Sequence, residues 1–244
     1  MTAPVGDSEI SIILPALNEA EALEILLPEL RRLHPMAEIV VVDDGSTDDT
    51  AQVASEEGVR VISHPYRKGN GAAVKTGIRS ATRPFLVLMD ADGQHNPGEI
   101  AALMEKLPRY ELVVGARIED FTSPWHRRLA NRVYNRFATY LTQIPILDLT
   151  SGFRALPRRL ALQFCYLLPN TYSYPSTLTL SLVRAGYSVA YVPIQVRKRI
   201  GRSKISLLRD GVRFLLIIMK VIMLFAPLRV FLPISMASFV LGLF

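Results

Sequence analysis

The sequence has little cysteine, few aromatic residues, and no internal repeat or low-complexity segment. Cys165 is the single cysteine among 244 residues, which excludes an internal disulfide and the paired cysteines of a zinc ribbon. The first nine residues, MTAPVGDSE, lack the basic and apolar regions of a secretory signal peptide. No serine nucleophile accompanied by histidine and aspartate is visible, so the sequence gives no sign of triad chemistry.

Positive charge is in excess and is concentrated in two clusters. The formal net charge is +6, and seven Lys or Arg lie between Gln195 and Arg213 beside a single acid, Asp210. A second cluster holds five arginines between Arg117 and Arg136. Such clusters fit phosphate-bearing substrates, nucleic acid or an anionic membrane surface. Nucleic acid is disfavoured as a partner, because no basic stripe interleaved with aromatic residues is present.

The first 116 residues alternate apolar runs with helical patterns. The apolar runs are ISIILPA, EIVVVDD, VRVIS, PFLVLMD and ELVVGA, and the helical patterns are STDDTAQVASEEG, GNGAAVKTGIRSA and NPGEIAALMEKL. Uninterrupted apolar runs are typical of parallel strands that are covered on both faces. Asn96 followed by Pro97 is a typical helix start. The pattern predicts an α/β fold with a doubly wound, mainly parallel sheet.

Acidic residues follow several of these predicted strands. Sheets of this class bind ligands at the carboxyl ends of their strands. Burying carboxylates there is costly unless a cation or hydrogen bonds compensate. Asp90 and Asp92 are two residues apart along a strand and therefore face the same way, with Gln94 beside them. Because hard oxygen ligands suit Mg²⁺ or Mn²⁺, we predict a divalent metal site. The five carboxylates at this edge are Glu19, Asp43, Asp44, Asp90 and Asp92.

The C-terminal part is strongly apolar. Basic residues lead into an apolar stretch from about residue 205, which is typical of a helix lying along a membrane surface. Residues 230–244 are apolar or small, but a spanning helix needs about 20 residues. We interpret the chain as a globular domain (1–204), a juxtamembrane amphipathic region (205–229) and the start of a truncated transmembrane segment (230–244). The alternative is a pair of apolar helices within a soluble core.

Six segments carry a family resemblance. In chain order they are VVDDGSTDDT, RKGNGAAVKTG, MDADGQHNP, VGAR, DLTSGFRAL and GRSKIS. The set resembles the inverting glycosyltransferases of family 2, whose nucleotide-binding fold is of the GT-A type, and covers roughly residues 9 to 210. Within that family it resembles polyprenyl-phosphate glycosyltransferases such as dolichol-phosphate mannose synthases. The resemblance implies metal-dependent transfer of a hexose from a GDP-mannose or UDP-glucose type donor to dolichyl or undecaprenyl phosphate. It also implies C-terminal membrane-associated helices and a catalytic domain on the cytoplasmic side of a membrane.

The resemblance also implies roles for individual residues. Nucleotide-sugar binding falls on Pro15, Leu17, Glu19, Val42, Asp44, Asp90, Ala91, Asp92, Arg117, Lys198 and Lys204. The metal falls on Asp92, Gln94 and Asp90, the lipid phosphate on Arg117, Arg127 and Asn131, and catalysis on Asp92, Arg117, Arg127 and Lys204. Leu17 stands where the family often has an aromatic residue, which leaves the base open. Lys198 stands where the family has arginine, so Arg197 and Arg199 remain alternative donor contacts.

Two other functions stay open on the sequence. A phosphomonoester has its second pKa near 6 and is mostly a dianion at pH 7, so it can attack without a base. A family 2 enzyme acting on a hydroxyl of a glycolipid or polysaccharide would need one, and Asp148 is the candidate, although it could equally fix a loop. The QxxRW element of processive polysaccharide synthases is not present. The second alternative is a membrane-surface protein that binds nucleotide without catalysis.

Overall fold

A seven-stranded sheet forms the centre of the computed structural model, which describes residues 5–117, 125–171, 173–197, 223 and 227–242. The strands are β1 (Ile10–Ala16), β2 (Glu38–Asp43), β3 (Arg60–Ser63), β4 (Phe85–Leu88), β5 (Leu112–Ala116), β6 (Arg154–Pro157) and β7 (Val189–Pro193). Their spatial order is β3-β2-β1-β4-β6-β5-β7. All neighbouring pairs are parallel except the two that involve β6. The predicted mainly parallel α/β sheet is therefore confirmed.

Helices connect most of the strands. In the described residues they are α1 (Ala20–Leu33), α2 (Thr50–Glu56), α3 (Asn70–Ser80), α4 (Ile100–Lys106), α5 (Trp125–Thr142), α6 (Arg158–Phe164), α7 (Tyr174–Arg184) and α8 (Pro227–Leu241). A short 3₁₀ turn, Pro97–Glu99, precedes α4, and the Asn96 side chain accepts a hydrogen bond from the Gly98 amide there. The predicted start at Asn96 and Pro97 is therefore confirmed, because this cap satisfies an amide that has no partner within the helix.

The sheet is covered on both faces, as its apolar strands require. Side chains of β1 alternate between the two faces, so Ile12 and Leu14 join one core with residues of α1, α2 and α4. Ile13 joins the opposite core with residues of α3, α6 and α7. Every residue of β1 is buried. The sheet is thus doubly wound, with the ends of the central strands left for a ligand.

Strand β6 has no counterpart in the sequence prediction. It lies between β4 and β5 and runs antiparallel to both, with Ala155 opposite Val87 on one side and Val113 on the other. An antiparallel strand begins where its neighbours end. The loop that precedes β6, residues 148–153, therefore lies at the same edge as the carboxyl ends of β4 and β5.

The apolar C-terminal region is only partly described. Helix α8 has 15 residues and exposes large apolar side chains, including Leu228, Leu232 and Phe239. No helix within the described residues is both long and apolar enough to cross a membrane. The predicted surface helix, residues 205–229, lies almost wholly outside the described part of the chain. Membrane association accordingly stays a prediction.

Candidate active site

The loops that follow β1 and β2 are joined by hydrogen bonds between side chains and main chain. Asn18, whose φ is +50°, accepts a hydrogen bond from the Thr47 amide (2.8 Å) and donates its own amide to Ser46 Oγ (2.9 Å). The Glu19 amide donates to Thr50 Oγ1 at 2.9 Å. These bonds fix the part of the edge where the sequence predicts nucleotide binding.

Asp44 is buried at the end of β2 and accepts several hydrogen bonds. The amides of Lys68 and Gly69 donate to its two oxygens at 2.9 and 2.8 Å, and His64 Nδ1 lies 2.8 Å from Oδ1. His64 Nε2 lies 2.9 Å from Thr76 Oγ1, which fixes the ring from its other side. Asp44 therefore organises the glycine-rich loop before α3, and His64 has a structural role.

The other residues predicted to bind the nucleotide differ in how deeply they are buried. Pro15 is buried within β1 and lies opposite Val42 of β2. The Val42 side chain packs in the core with Val40 and Ala73, so only its main chain faces the strand edge. Ala91 is likewise part of the hydrophobic core. Leu17 is half-buried and lies beside Asn18, directly after the end of β1.

Asp90 lies between a histidine and a glycine. His95 Nε2 is 3.5 Å from Asp90 Oδ2, and the His95 ring stacks on Phe153 at 5.1 Å between centroids. A Cβ atom on Gly152 would overlap the Asp90 carboxylate, so any other residue at that position would displace this carboxylate. Desolvation raises the pKa of Asp90, but the hydrogen bond and charge of His95, together with the charges of Arg117 and Arg154, outweigh it and hold the pKa below its usual value. Asp90 is therefore ionised at neutral pH.

Asp92 and Gln94 have the oxygen donors that a divalent cation prefers. Asp92 is buried, and its Oδ1 accepts a hydrogen bond from the Gln94 amide at 3.1 Å. Within the described residues, no three His, Cys, Asp or Glu side chains form a group that could hold a metal ion. Mg²⁺ and Mn²⁺ do not require such a cage, since they often bind one or two carboxylates together with phosphate oxygens. The donor set thus fits a metal that is completed by a diphosphate.

Arg117 and Asp148 form a bidentate ion pair across the edge. Arg117 Nε lies 2.7 Å from Asp148 Oδ2 and Nη2 lies 2.9 Å from Oδ1, while Nη2 also donates to Thr150 Oγ1. The amides of Thr150 and Ser151 donate to Asp148 Oδ1 at 3.1 Å each. Burial raises the pKa of Asp148, yet Arg117 and these amides outweigh it and hold the pKa below its usual value. Asp148 is therefore held by Arg117 and by the amides of its own loop.

A fully buried arginine lies beneath this half of the site. Arg154 Nε donates to the Ser151 carbonyl at 3.0 Å, and Nη1 donates to the Pro175 carbonyl and to Thr179 Oγ1. Within the described residues it makes no ion pair. Burial lowers the pKa of Arg154, and the negative charges of Asp148 and Asp90 act against this shift. Arg154 therefore links the loop before β6 to α7 and adds positive charge below two carboxylates.

The residues predicted to bind the acceptor phosphate and the donor diphosphate are only partly described. Arg127 and Asn131 occupy positions one turn apart on α5, but the Arg127 side chain lies outside the description, as do Lys198, Arg199 and Lys204. Arg197 is described, and its guanidinium binds Glu29 at 2.7 and 2.9 Å and Asn96 Oδ1 at 2.8 Å. Arg197 is thus engaged in holding its segment against α1, which leaves Lys198 and Arg199 as the donor candidates.

Two residues at this edge were not singled out from the sequence. Gly152 and Arg154 both belong to the segment DLTSGFRAL, which carries part of the family resemblance. Nothing in their spacing indicates that the glycine contacts Asp90 or that the arginine is buried. That information depends on β6 lying between β4 and β5.

Comparison with known proteins identifies relatives along most of the chain. The model of the family described as glycosyl transferase family 2 matches residues 11–163. The polyprenol monophosphomannose synthase of Mycolicibacterium smegmatis is 31% identical over 212 residues, covering 80% of this chain and 80% of the relative. The undecaprenyl-phosphate mannosyltransferase of Micrococcus luteus is 29% identical over 209 residues, covering 80% and 86%.

A solved structure has the same fold and a ligated site. It is the glucosyl-3-phosphoglycerate synthase from Mycobacterium tuberculosis in complex with Mn²⁺, uridine diphosphate and glucosyl-3-phosphoglycerate. It superposes with a TM-score of 0.70 at 26% identity, covering 87% of this chain and 78% of the other. The likeness confirms the predicted glycosyltransferase fold of the GT-A type for the globular part of the chain.

Proposed function

This chain belongs to glycosyl transferase family 2, and we propose that it transfers a hexose from a nucleotide-sugar to a polyprenyl phosphate with inversion at the anomeric carbon. The donor is of the GDP-mannose or UDP-glucose type, and the lipid is dolichyl or undecaprenyl phosphate. The acceptor assignment rests on the hydrogen bonds that the Asp148 carboxylate accepts. Its oxygens accept hydrogen bonds from Arg117 and from two loop amides, so it is poorly suited to remove a proton from a hydroxyl.

A phosphate acceptor removes the need for that base. At pH 7 a phosphomonoester is mostly a dianion, because its second pKa is near 6. One of its oxygens attacks the anomeric carbon from the face opposite the nucleotide. A new carbon–oxygen bond forms as the bond to the nucleoside diphosphate breaks, and the departing diphosphate keeps the electron pair. No proton has to move in this step.

The protein must then bring two anions together and stabilise the leaving group. Asp92 and Gln94, supported by Asp90, would hold the divalent ion, which supplies positive charge to the departing diphosphate when it is bound. Arg127 and Asn131 on α5, together with Arg117, would bind the lipid phosphate. Lys198 and Lys204 would contact the donor diphosphate. This division explains why the basic residues come from separate segments of the chain.

The membrane is the source of the acceptor in this proposal. Helix α8 exposes Leu232, Met236 and Phe239, which favours contact with lipid. We expect residues 205–244 to keep the polyprenyl tail in the membrane while its phosphate reaches the site from the cytoplasmic side. Removal of residues 212–244 should abolish flotation with anionic liposomes. Equal flotation of the shortened protein would contradict this part of the proposal.

The deciding experiment compares a short polyprenyl phosphate with the matching polyprenol, each supplied with Mn²⁺ and a panel of labelled nucleotide-sugars. We expect lipid-linked sugar from the phosphate only. An Asp148→Asn variant assayed beside the parent tests the alternative acceptor. If the alcohol accepted sugar and that variant lost transfer while keeping donor affinity, Asp148 would be a base and the acceptor a hydroxyl. If no donor gave product with either lipid, a non-catalytic nucleotide-binding role would gain.

A further inference from the structure

A basic groove lies at the edge of the sheet opposite the candidate active site. It has a volume of about 660 Å³ and lies where β4 and β5 begin and β6 ends. Strands rise about 3.3 Å per residue, so Phe85 and Leu88 at the two ends of β4 are about 10 Å apart, and Asp92 lies four residues beyond Leu88. The groove therefore lies at the opposite ends of these strands from the residues proposed to bind the substrates.

Four arginines and one acid, Glu111, line this groove in the described part of the chain. Arg83, Arg109 and Arg159 are exposed and Arg158 is half-buried. In the part of the chain that is described, none of the four takes part in an ion pair. Arg158 Nε is buried and has no hydrogen-bond partner there. A buried N–H without a partner is costly, which indicates that a ligand or water satisfies it.

Glu111 attracts Arg159, but one acid cannot neutralise four arginines. Glu111 accepts hydrogen bonds from the amide of Ser188, at 2.9 Å, and from the hydroxyl of the same residue. Its carboxylate is thus used to join the start of β5 to the turn before β7. Four arginines against one acid leave the groove strongly positive. Like charges held close together repel each other unless an anion binds between them.

Apolar residues form the rest of the groove. Leu107, Pro108 and Leu162 line it beside the ring of Tyr110. Small-molecule sites are typically clefts of about 300–1,000 Å³ with mostly apolar walls and a few convergent polar groups. An arginine fork matches the oxygens of a phosphate in bidentate fashion. The combination fits a ligand that has both a phosphate group and an apolar or aromatic part.

We propose that the groove at the starts of β4 and β5 binds a small phosphorylated molecule through Arg83, Arg109, Arg158 and Arg159. The phosphate lies among the guanidinium groups, and the apolar part lies against Leu107, Pro108 and Leu162. This site is separate from the proposed active site, and the two proposals can be tested independently. Strands β4 and β5 connect the groove to Asp90 and Arg117. A ligand bound in the groove is therefore well placed to change transfer activity from the opposite edge of the sheet.

The test measures ATP and inorganic triphosphate binding to the full-length protein by calorimetry at low salt, in EDTA to suppress metal-dependent binding at the other edge. The variant R83S/R109S removes two exposed arginines of the groove. The matched control R79S/R184S removes two exposed arginines outside it, so the net charge is the same. We expect the Kd for both ligands to rise at least about tenfold in R83S/R109S, and to stay within about twofold of the parent in the control.

Tighter binding of ATP than of triphosphate would support the role of the apolar wall, and the methyl resonances of Leu107 and Leu162 should then shift on titration. Transfer activity without added ligand should be the same in both double variants, which checks that they fold. The proposal is overturned if neither ligand binds saturably at millimolar concentration. Equal weakening in the two double variants would also overturn it, because binding would then follow net charge alone.

Discussion

The two halves of the candidate active site hold their carboxylates in different ways. In the half formed by β1 and β2, Asp44 is compensated by the amides of Lys68 and Gly69 and by His64. In the half formed by β4, β5 and β6, Asp148 is compensated by the guanidinium of Arg117. The first half therefore depends on the geometry of a local loop. The second depends on charges that the fold brings together from distant parts of the chain.

The difference also separates structural from chemical roles. Amide donors hold a carboxylate without adding net charge, which suits a site that binds a neutral base or ribose. Arginines add net positive charge, which suits a site where two phosphates must approach each other. Arg117 and the buried Arg154 both contribute positive charge near Asp90. The second half is thus the place where loss of one charge should affect transfer most.

The largest effect is expected from Asp92→Asn, which removes the carboxylate proposed to hold the metal ion in the second half. Transfer should fall by about a hundred- to a thousandfold, because stabilisation of the leaving diphosphate is lost. The midpoint of thermal unfolding should hardly change. Mn²⁺ affinity, measured by electron paramagnetic resonance, should fall in parallel with activity. Asp49→Asn, at an exposed position before α2, is the matched control. Full activity of Asp92→Asn in chelator-treated buffer would contradict the metal site.

Arg117→Met should weaken both stability and transfer. It leaves Asp148 buried without its cation, and we expect the free energy of unfolding to fall by about 2–3 kcal/mol. This is less than for a fully buried pair, because 25% of the Arg117 side chain is exposed. Urea denaturation measures the loss, and the double variant R117M/D148N should recover part of it. Transfer should fall by about ten- to a hundredfold if Arg117 meets phosphate.

The same pair predicts how stability depends on pH. The pKa of Asp148 is lower in the folded protein than in the unfolded chain. Its contribution is therefore fully present above the unfolded pKa, near 4, and is lost as pH falls through the folded value. The stability difference between the parent and Asp148→Asn should shrink below about pH 4. A difference that instead grew on acidification would mean that Asp148 does not titrate as the pair requires.

Gly152→Ala tests whether the position of Asp90 matters. The added methyl group would overlap the Asp90 carboxylate and displace it from its present position beside His95. We expect transfer to fall by about tenfold or more, since an error of about 1 Å in a catalytic group has costs of this order. Gly98→Ala is the control, because its methyl group would meet only Asn96 at 3.4 Å. Equal activity of the two variants would show that Asp90 tolerates displacement.

Asp44→Asn tests the first half. The amides of Lys68 and Gly69 donate to different oxygens of Asp44. In asparagine an NH2 group replaces one of these oxygens, so one main-chain N–H loses its partner. The free energy of unfolding should fall by about 1–3 kcal/mol, and amide hydrogen exchange at Lys68 and Gly69 should speed up. Donor affinity should weaken through the loop, whereas acceptor use should be unchanged. A selective loss of acceptor use would reverse the assignment of the two halves.

The smallest effect is expected from Arg197→Ala. Arg197 binds Glu29 and Asn96 at the surface, so its loss should change transfer by less than about threefold. Lys198→Ala, one residue further, should weaken donor binding by about tenfold if Lys198 contacts the diphosphate. Nucleotide-sugar titration separates the two variants. If Arg197→Ala were the more damaging change, Arg197 would leave Glu29 to reach the donor.

Much of the first half of the fold could be predicted from the sequence. The run ISIILPA forms β1 with the predicted bounds, and Asn96 caps the segment before α4 as expected. These features depend on neighbouring residues: apolar runs covered on both faces, and side chains that satisfy the first amides of a helix. The convergence of acidic residues at one edge also followed, because the carboxyl ends of parallel strands meet there.

The second half could not be predicted in the same way. Strand β6 has four residues and lies between two strands that precede it in the chain. Its place depends on which strands become neighbours, and short-range periodicity carries no such information. Arg117 meets Asp148, 31 residues further along, only because β6 enters the sheet antiparallel and brings its preceding loop to the end of β5.

The sequence by itself therefore determined the fold class, the strand ends that carry carboxylates, and the family. These depend on the order and local spacing of residues. Only the tertiary structure decided that Asp44 binds loop amides, that Asp148 is held by Arg117, and that Arg154 is buried beneath the site. The physical reason is that hydrogen bonding and burial of a charged group depend on atoms from distant segments. Those atoms become neighbours only when the sheet has formed.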